Sequence, residues 1–151
     1  CNYYYKLYIY KMIQCLHKDI DINQYFHLLN QLSTTSISQN SKQSFIRYLR
    51  NLPQNINIFL LFENDEIVAS GTIIIEPKII HNFGFAAHIE DVVVANKYRG
   101  KGYGKKLINY LIDVAKREKC YKVVLNCTKE LCSFYIKNGF QNKNEQMAIY
   151  F

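Results

Sequence analysis

Apolar residues recur with two different spacings in this chain, and each spacing predicts a different kind of element. In Lys105–Glu118 they return at helical intervals, as Leu107, Leu111 and Val114 do, which predicts an amphipathic helix. Ala87–Val94 is instead an almost unbroken apolar run, which is typical of a buried strand. The same criteria predict a helix capped by Asp19 or Asp21 and running to about Leu32, helices at Ser44–Leu52 and Leu131–Asn138, and strands at Tyr5–Met12, Ile56–Phe62, Ile67–Ile75, Val123–Cys127 and Met147–Phe151.

The residues between these segments are of the types that end helices and turn strands. Asn64-Asp65 predicts a hairpin, Pro53 and Pro77 end the segments before them, and Gly139 suits a left-handed helix cap. Ile79–Phe85 fits no single pattern, and we expect it to form a second hairpin with the strand that follows. The order β-α-α-β-β-β-α-β-α-β predicts one domain over residues 1–151, of α/β class (an α+β mixed sheet), with helices on both faces.

A glycine-rich turn joins the strand Ala87–Val94 to the helix that begins at Lys105. From Arg99 to Gly104 its sequence is RGKGYG. Glycine lets main-chain N–H groups approach a ligand closely, and the N-terminus of a helix attracts anions. The spacing differs from that of a P-loop, and the alternating glycines do not match the dinucleotide fingerprint GxGxxG. The turn therefore predicts a phosphate-binding site of another type.

Charge and cysteine content narrow the classes of protein further. Nineteen basic and twelve acidic residues give a net charge of +7. The lysines are scattered except at Lys97–Lys106, around the glycine turn, which favours a small anionic ligand over nucleic acid. No segment is apolar over the length that a membrane span requires. Five cysteines without a C-x-x-C pair predict free thiols in a reducing cytoplasm and no metal site.

The pattern R-x-x-G-x-G in the turn resembles the pyrophosphate-binding signature of the GNAT superfamily of N-acetyltransferases. The predicted element order is similar to that fold over almost the whole chain. The resemblance implies a splayed central sheet flanked by helices, with acetyl-CoA as the acyl donor. It implies cofactor contacts, through main chain or side chain, from Val92, Val93, Val94, Arg99, Gly100, Lys101, Gly102, Tyr103, Gly104, Lys105, Asn126 and Tyr135.

Four further segments narrow the resemblance to one subfamily. They read KIIH from Lys78, HIEDVVV from His88, CYK from Cys120 and FYIKNGF from Phe134. Together they resemble the glucosamine-6-phosphate N-acetyltransferases, which act on the route to UDP-N-acetylglucosamine. The resemblance implies direct acetyl transfer, in a ternary complex, to the 2-amino group of D-glucosamine 6-phosphate. It also implies a homodimer with shared active sites.

The same resemblance gives individual residues a role. Tyr135 is expected to act as the general acid that stabilises the departing thiolate, and a main-chain N–H near Val92 or Val93 to polarise the thioester carbonyl. Glu90 is expected to draw a proton from the substrate ammonium group through water. Substrate contacts are expected from Ser33, Lys78, His81, Glu90 and Asp91, and from the partner subunit through Tyr121 and Lys122.

At two positions the chain departs from the subfamily. Asn126 stands where a carboxylate is often found, so either its main-chain carbonyl orients the amine or Glu90 and solvent act without it. Tyr150 stands where an Arg can bind the phosphate, so we expect weaker binding of the sugar phosphate. Two other functions stay open: acetylation of another amine, such as a peptide or polyamine, and a non-catalytic acyl-CoA-binding module.

Overall fold

The computed structural model describes residues 12–33 and 42–151 of the chain. The strands are β1 Ile13–Cys15, β2 Ile56–Glu63, β3 Glu66–Pro77, β4 Phe85–Val94 and β5 Cys120–Leu125. The helices are α1 Ile22–Leu29, α2 Lys42–Asn51, α3 Tyr103–Arg117 and α4 Lys129–Lys137. A 3₁₀ turn, Asn96–Tyr98, lies between β4 and α3. The predicted strand Tyr5–Met12 lies outside the described residues except for Met12.

The strands form one sheet in the order β1-β2-β3-β4-β5. Neighbours from β1 to β4 are antiparallel, whereas β5 runs parallel to β4. A parallel pair needs a crossover connection, and α3 supplies it. Asn64 and Asp65 turn the hairpin between β2 and β3 with φ angles of 47° and 63°, as a type I′ turn requires. The predicted hairpin is therefore confirmed.

Helices cover both faces of the sheet, as predicted. Leu60 and Leu61 of β2 belong to different hydrophobic clusters because successive strand residues point to opposite faces. The cluster on one face takes Leu107, Ile108, Leu111, Val114 and Ala115 from α3 and Tyr135 from α4. The cluster on the other takes Tyr25, Phe26 and Leu28 from α1 and Phe45 from α2. In the described part of the chain, no helix is both long and apolar enough to cross a bilayer.

Local sequence explains where the first helix begins. The side chain of Asp21 accepts hydrogen bonds from the N–H groups of Asn23 (3.0 Å) and Gln24 (3.1 Å), so Asp21 is the N-cap of α1. This cap satisfies two N–H groups that have no partner within the helix. Of the two capping residues that the sequence offered, Asp21 is therefore the one used.

The predicted last strand is wrong. Met147–Phe151 forms no strand, and Met147 and Tyr150 are each 93% exposed. Its alternating apolar residues suit a strand, but a strand also needs a neighbour for its N–H and C=O groups. The described part of the chain offers these residues no such neighbour.

The predicted strand pairing of Ile79–Phe85 is also wrong. Ile80–Phe83 forms a single turn in which His81, Asn82 and Phe83 have φ angles of 56°, 56° and 57°, all in the left-handed region. The N–H of Lys78 donates to the carbonyl of Gly84 (2.8 Å) and closes this turn. Left-handed backbone is unfavourable for non-glycine residues, and such strain often marks a functional site.

Candidate active site

β4 and β5 run side by side over only part of β4. The register begins at Phe85 and Cys120 and ends at Ile89 and Leu125, with no further pair among the described residues. β5 therefore begins earlier and ends earlier than the predicted Val123–Cys127, whereas β4 continues to its expected end. The sheet is splayed at this point, as predicted, so the second half of β4 faces a cleft where a strand would otherwise pair.

A β-bulge lies in β4 at the mouth of this cleft. Ser70 of β3 pairs with Val93, but Thr72 pairs with Glu90, so β4 has one extra residue between the two pairs. Asp91, inside the bulge, has a φ of 51°. Because the extra residue is unpaired in the ladder, main-chain polar groups of the bulge become available to a ligand.

The bulge changes which face the following residues contact. Ile89 packs in the cluster beneath α3, and so do Val92 and Val94, whereas Val93 packs with α1 on the other face. Without the bulge, residues 89, 91 and 93 would share a face. Sequence reasoning missed the bulge, although three consecutive valines after an acidic pair were a signal that regular alternation is interrupted.

The glycine turn ends directly at the start of α3. Gly100 and Gly102 have φ angles of 75° and 86°, and apart from each glycine and its two chain neighbours no described atom lies within 4 Å of the point where either would carry a Cβ. Gly102 is the N-cap of α3 and has no side chain to cap the first N–H groups. No side-chain cap accepts from the first N–H groups of α3, which lie at the positive end of the helix. An anionic group such as a diphosphate fits this position.

Gly104 has a different role from the other two glycines. A Cβ on Gly104 would lie 3.3 Å from the ring of Phe134 and 3.5 Å from the side chain of Val94. The first turn of α3 therefore approaches α4 and the end of β4 so closely that a Cβ at Gly104 would press on the Phe134 ring. Gly104 serves packing between elements, which holds the glycine turn beside α4.

Basic side chains surround the glycine turn. Arg99 Nε donates to the carbonyl of Val94 (3.0 Å), and Lys101 Nζ lies 5.2 Å from the ring centroid of Tyr98. Lys105, in the first turn of α3, is exposed. No acidic residue lies in that turn. The charge around the first N–H groups of α3 is therefore positive, which suits a phosphate ligand.

Tyr135 is held between two aromatic rings. It is 7% exposed, and its ring centroid lies 5.0 Å from that of Phe134 and 5.8 Å from that of Phe140. Burial is the main cause that raises the pKa of Tyr135 above 10.0, and Cys127 adds to it electrostatically. Cys127 is the second residue after β5, so Tyr135 lies near the splay. Its phenol keeps its proton at neutral pH and can donate it.

The register also places Glu90 and Asn126. Each is the first residue beyond the last pair of β4 and β5, so they stand on opposite sides of the splay. Glu90 is half-buried, whereas Asp91 and Asn126 are exposed. Ser33 is exposed after α1, where its N–H donates to the carbonyl of Leu29 (3.0 Å). Its contact with substrate rests on the resemblance.

Sequence reasoning missed Glu76 as a partner of the predicted substrate residues. Its carboxylate accepts hydrogen bonds from Lys78 Nζ and pairs with His88 Nε2 at 2.7 Å. Lys78 first and His88 second lower the pKa of Glu76 below 4.5. The charge of Lys78 is therefore partly compensated within the chain. Only the pairing of β3 with β4 brings His88 to Glu76, so no local pattern could have revealed it.

Three of the predicted phosphate residues form one surface of the same chain. The ring of His81 contacts that of Tyr121, with centroids 4.1 Å apart, and Lys122 Nζ lies 5.6 Å from the Tyr121 ring centroid. Lys78 precedes the left-handed turn that carries His81. Residues that the resemblance assigned to different subunits are thus neighbours within one subunit.

Comparisons with known proteins agree with this geometry. The Acetyltransferase (GNAT) family model matches residues 22–140. The chain is 39% identical over 130 residues to the glucosamine 6-phosphate N-acetyltransferase of Arabidopsis thaliana, an alignment covering 84% of this chain and 87% of that protein. It is 37% identical over 131 residues to glucosamine 6-phosphate N-acetyltransferase 1 of Dictyostelium discoideum, covering 83% and 82% of the two chains.

Similarity of structure extends over the same region. The crystal structure of glucosamine-6-phosphate N-acetyltransferase from Arabidopsis thaliana matches with a TM-score of 0.84 at 38% identity, and the match covers 92% of this chain and 97% of that one. The splay, the bulge and the glycine turn all lie within the matched family region. The chain therefore belongs to the acetyltransferase (GNAT) family and, within it, to the glucosamine 6-phosphate N-acetyltransferases.

Proposed function

We propose that this protein transfers the acetyl group of acetyl-CoA to the 2-amino group of D-glucosamine 6-phosphate, giving N-acetyl-D-glucosamine 6-phosphate and CoA. The observation that carries the proposal is the cleft beyond Ile89 and Leu125, with the glycine turn and Tyr135 beside it. The relatives named for this reaction support the choice of substrate. The described cysteines are free thiols, and we expect the protein to act in the reducing cytoplasm.

The residues at the cleft fit acetyl-CoA in two places. The N–H groups after Gly102, with the cations of Arg99, Lys101 and Lys105, would hold its diphosphate. The unpaired main chain of Val92–Val94 would hydrogen-bond the pantetheine arm as a neighbouring strand would. Bound acetyl-CoA supplies the thioester that is to be aminolysed.

Each step of the transfer then has a group of this chain to serve it. A main-chain N–H near Val92 or Val93 polarises the thioester carbonyl, and Glu90 accepts the proton of the ammonium group through water. The main-chain carbonyl of Asn126 orients the amine. The amine nitrogen attacks the thioester carbon, and the C–S bond breaks as Tyr135 donates its proton to the departing sulfur. The nitrogen gives up its second proton to solvent, and Tyr135 recovers a proton from solvent. Asp91 holds a sugar hydroxyl.

The phosphate of the substrate would bind the surface formed by Lys78, His81, Tyr121 and Lys122, which we name the phosphate cluster. Tyr121 lies four residues before Leu125, and at the rise of a strand this is about 13 Å from the splay. The amine and phosphate of one amino sugar lie closer together than that. The phosphate cluster therefore serves the cleft of a partner subunit, in a homodimer with shared sites.

Two features support association of two copies. β5 pairs with β4 on one side, and its other edge has no strand neighbour among the described residues. The C-terminal segment exposes large apolar side chains: Met147, Ile149, Tyr150 and Phe151. Open strand edges and exposed apolar residues are typical of protein interfaces.

Steady-state kinetics with two acceptors tests the proposed substrate. Wild type should use glucosamine 6-phosphate far more efficiently than glucosamine, and Lys122→Met should reduce that preference by about tenfold, because one charge-assisted contact is lost. Lys129→Met, on the exposed start of α4, is the matched control. Equal kcat/KM for the two acceptors in wild type would contradict the phosphate site.

Mixing two defective variants tests whether the sites are shared. Tyr135→Phe disables the cleft, whereas Lys122→Met disables the phosphate cluster, so each homodimer is impaired. Random mixing makes about half of the dimers heterodimers, and in each heterodimer one of the two sites takes both of its parts from unaltered surfaces. Activity should therefore return to about a quarter of that of wild type. Activity that stays at the average of the two variants would contradict sharing.

A further inference from the structure

Glu66 binds the chain segment that leads into the glycine turn. Its carboxylate accepts hydrogen bonds from Tyr98 Oη (2.8 Å) and from Lys97 Nζ (2.7 Å to Oε1). Glu66 is the first residue of β3, immediately after the type I′ turn of Asn64 and Asp65. Lys97 and Tyr98 belong to the 3₁₀ turn that follows β4. Through Glu66, the hairpin of β2 and β3 thus holds Tyr98, the residue before Arg99.

The support beneath Glu66 is also fixed. The N–H of Ile67, the next residue, donates to Gln24 Oε1 (2.5 Å) of α1. A second glutamine, Gln31, lies two residues beyond the end of α1 and accepts through Oε1 from the N–H of Asn96 (2.7 Å), where the 3₁₀ turn begins. A side chain from α1 therefore holds the hairpin, and a side chain from the residues just after α1 holds the turn.

The ring of Tyr98 in turn contacts the glycine turn itself. It stands edge-on to the ring of Tyr103, with centroids 5.5 Å apart and planes at 86°. Lys101 Nζ lies 5.2 Å from the centroid of the Tyr98 ring. Tyr98 therefore touches residues on both sides of Gly102, while its hydroxyl is bound to Glu66.

We infer that Glu66 and Tyr98 are positioning residues for the diphosphate of acetyl-CoA. The inference rests on the proposed function, since it assumes that the diphosphate binds the glycine turn. The Glu66–Tyr98 hydrogen bond holds the aromatic ring against which Lys101 and Tyr103 rest, so the N–H groups after Gly102 are arranged before the ligand arrives. Pre-arrangement removes an ordering cost from binding.

Kinetics with two acetyl donors, acetyl-CoA and S-acetylpantetheine, distinguish positioning of the diphosphate site from a general structural role of Glu66 and Tyr98. S-Acetylpantetheine carries the thioester and the pantetheine arm of acetyl-CoA but not the diphosphate. Tyr98→Phe keeps the ring and removes the hydroxyl, and Glu66→Ala removes the acceptor. Each should raise KM for acetyl-CoA about three- to tenfold and leave kcat and KM for S-acetylpantetheine unchanged. The exposed Tyr48→Phe on α2 is the matched control and should change neither KM.

A double variant identifies the hydrogen bond as the cause. Because Glu66→Ala and Tyr98→Phe remove the same bond, the variant carrying both should show a KM for acetyl-CoA close to that of the worse single variant. An unchanged KM for acetyl-CoA, equal rises for both donors, or effects of the two changes that multiply would each overturn the inference while leaving the proposed function standing. A wild type that uses the two donors equally well would overturn both the inference and the diphosphate site on which it rests, since the diphosphate would then contribute nothing.

Discussion

The ring of Tyr135 stands edge-on to the ring of Phe140, with 5.8 Å between the centroids and 80° between the planes. Phe134 packs on it in the same way. These contacts bury the Tyr135 ring and fix its orientation beside the splay. The packing therefore holds the protonated phenol of Tyr135 close to the point where β4 and β5 separate.

Removing the hydroxyl of Tyr135 tests its role as general acid. Tyr135→Phe should lower kcat by about a hundredfold, the lower end of what acid–base catalysis contributes. KM for acetyl-CoA should stay unchanged, because the ring contacts remain. The melting temperature should stay near that of wild type, which serves as the folding control. A kcat within a factor of about two of wild type would remove Tyr135 from the mechanism.

Two glycines with similar backbone allow a controlled test of the glycine turn. Gly102 and Gly139 have φ angles of 86° and 92°, and neither has a described atom within 4 Å of a potential Cβ. Alanine at either position should lower the free energy of unfolding by about 1–2 kcal/mol, the cost of left-handed backbone. Only Gly102→Ala should also weaken CoA binding in calorimetry. Equal CoA affinity for the two variants would count against the diphosphate site.

Gly71 allows α3 to approach β3 closely. A Cβ on Gly71 would lie 3.1 Å from Leu111 Cδ1 and 3.3 Å from Leu107 Cδ2, and both leucines are fully buried. Gly71→Ala should lower the free energy of unfolding by about 1–3 kcal/mol in denaturant titration, because the core is overpacked. Leu111→Val should relieve the added methyl group, so the two changes together should cost less than their sum. If the losses in the free energy of unfolding simply add, α3 moves away from the new methyl group and the core is not overpacked.

The pairing of Glu76 with Lys78 and His88 predicts a dependence of stability on pH. The pKa of Glu76 is lowered in the folded protein relative to its usual 4.5. Its contribution is therefore complete above about pH 4.5 and is lost as the pH falls through the folded value. The free energy of unfolding should fall less steeply below that pH in Glu76→Gln than in wild type. The exposed Glu145→Gln should follow wild type, and identical slopes for Glu76→Gln and wild type would contradict the pairing.

Those elements that depend on nearby residues were predicted well. The α3 stripe follows from helical spacing, the start of α1 from the carboxylate of Asp21, and the hairpin turn from Asn64-Asp65. Each of these signals acts between residues close in sequence, because the hydrogen bonds of a cap and the steric limits of a tight turn involve only neighbouring residues.

Predictions failed where a distant partner decides the outcome. The segment Met147–Phe151 has the alternation of a strand, but a strand needs a neighbouring strand to pair with. In the structure this segment does not pair with the described sheet. The turn at His81 adopts left-handed backbone that its residue types do not favour, between two strands that are already paired on either side of it. No local pattern marks Glu66 or Glu76, because each binds partners that other segments of the chain supply.

The amino-acid sequence alone thus predicted the helices, most of the strands and the glycine turn, and its motifs predicted the family. Three features were decided only when the sheet assembled: the residues at which the splay begins (Ile89 and Leu125), the bulge at Asp91, and the hydrogen bond between Glu66 and Tyr98. The reason is physical: register, strand separation and side-chain partners depend on contacts between segments far apart in the chain, and these contacts exist only in the folded protein.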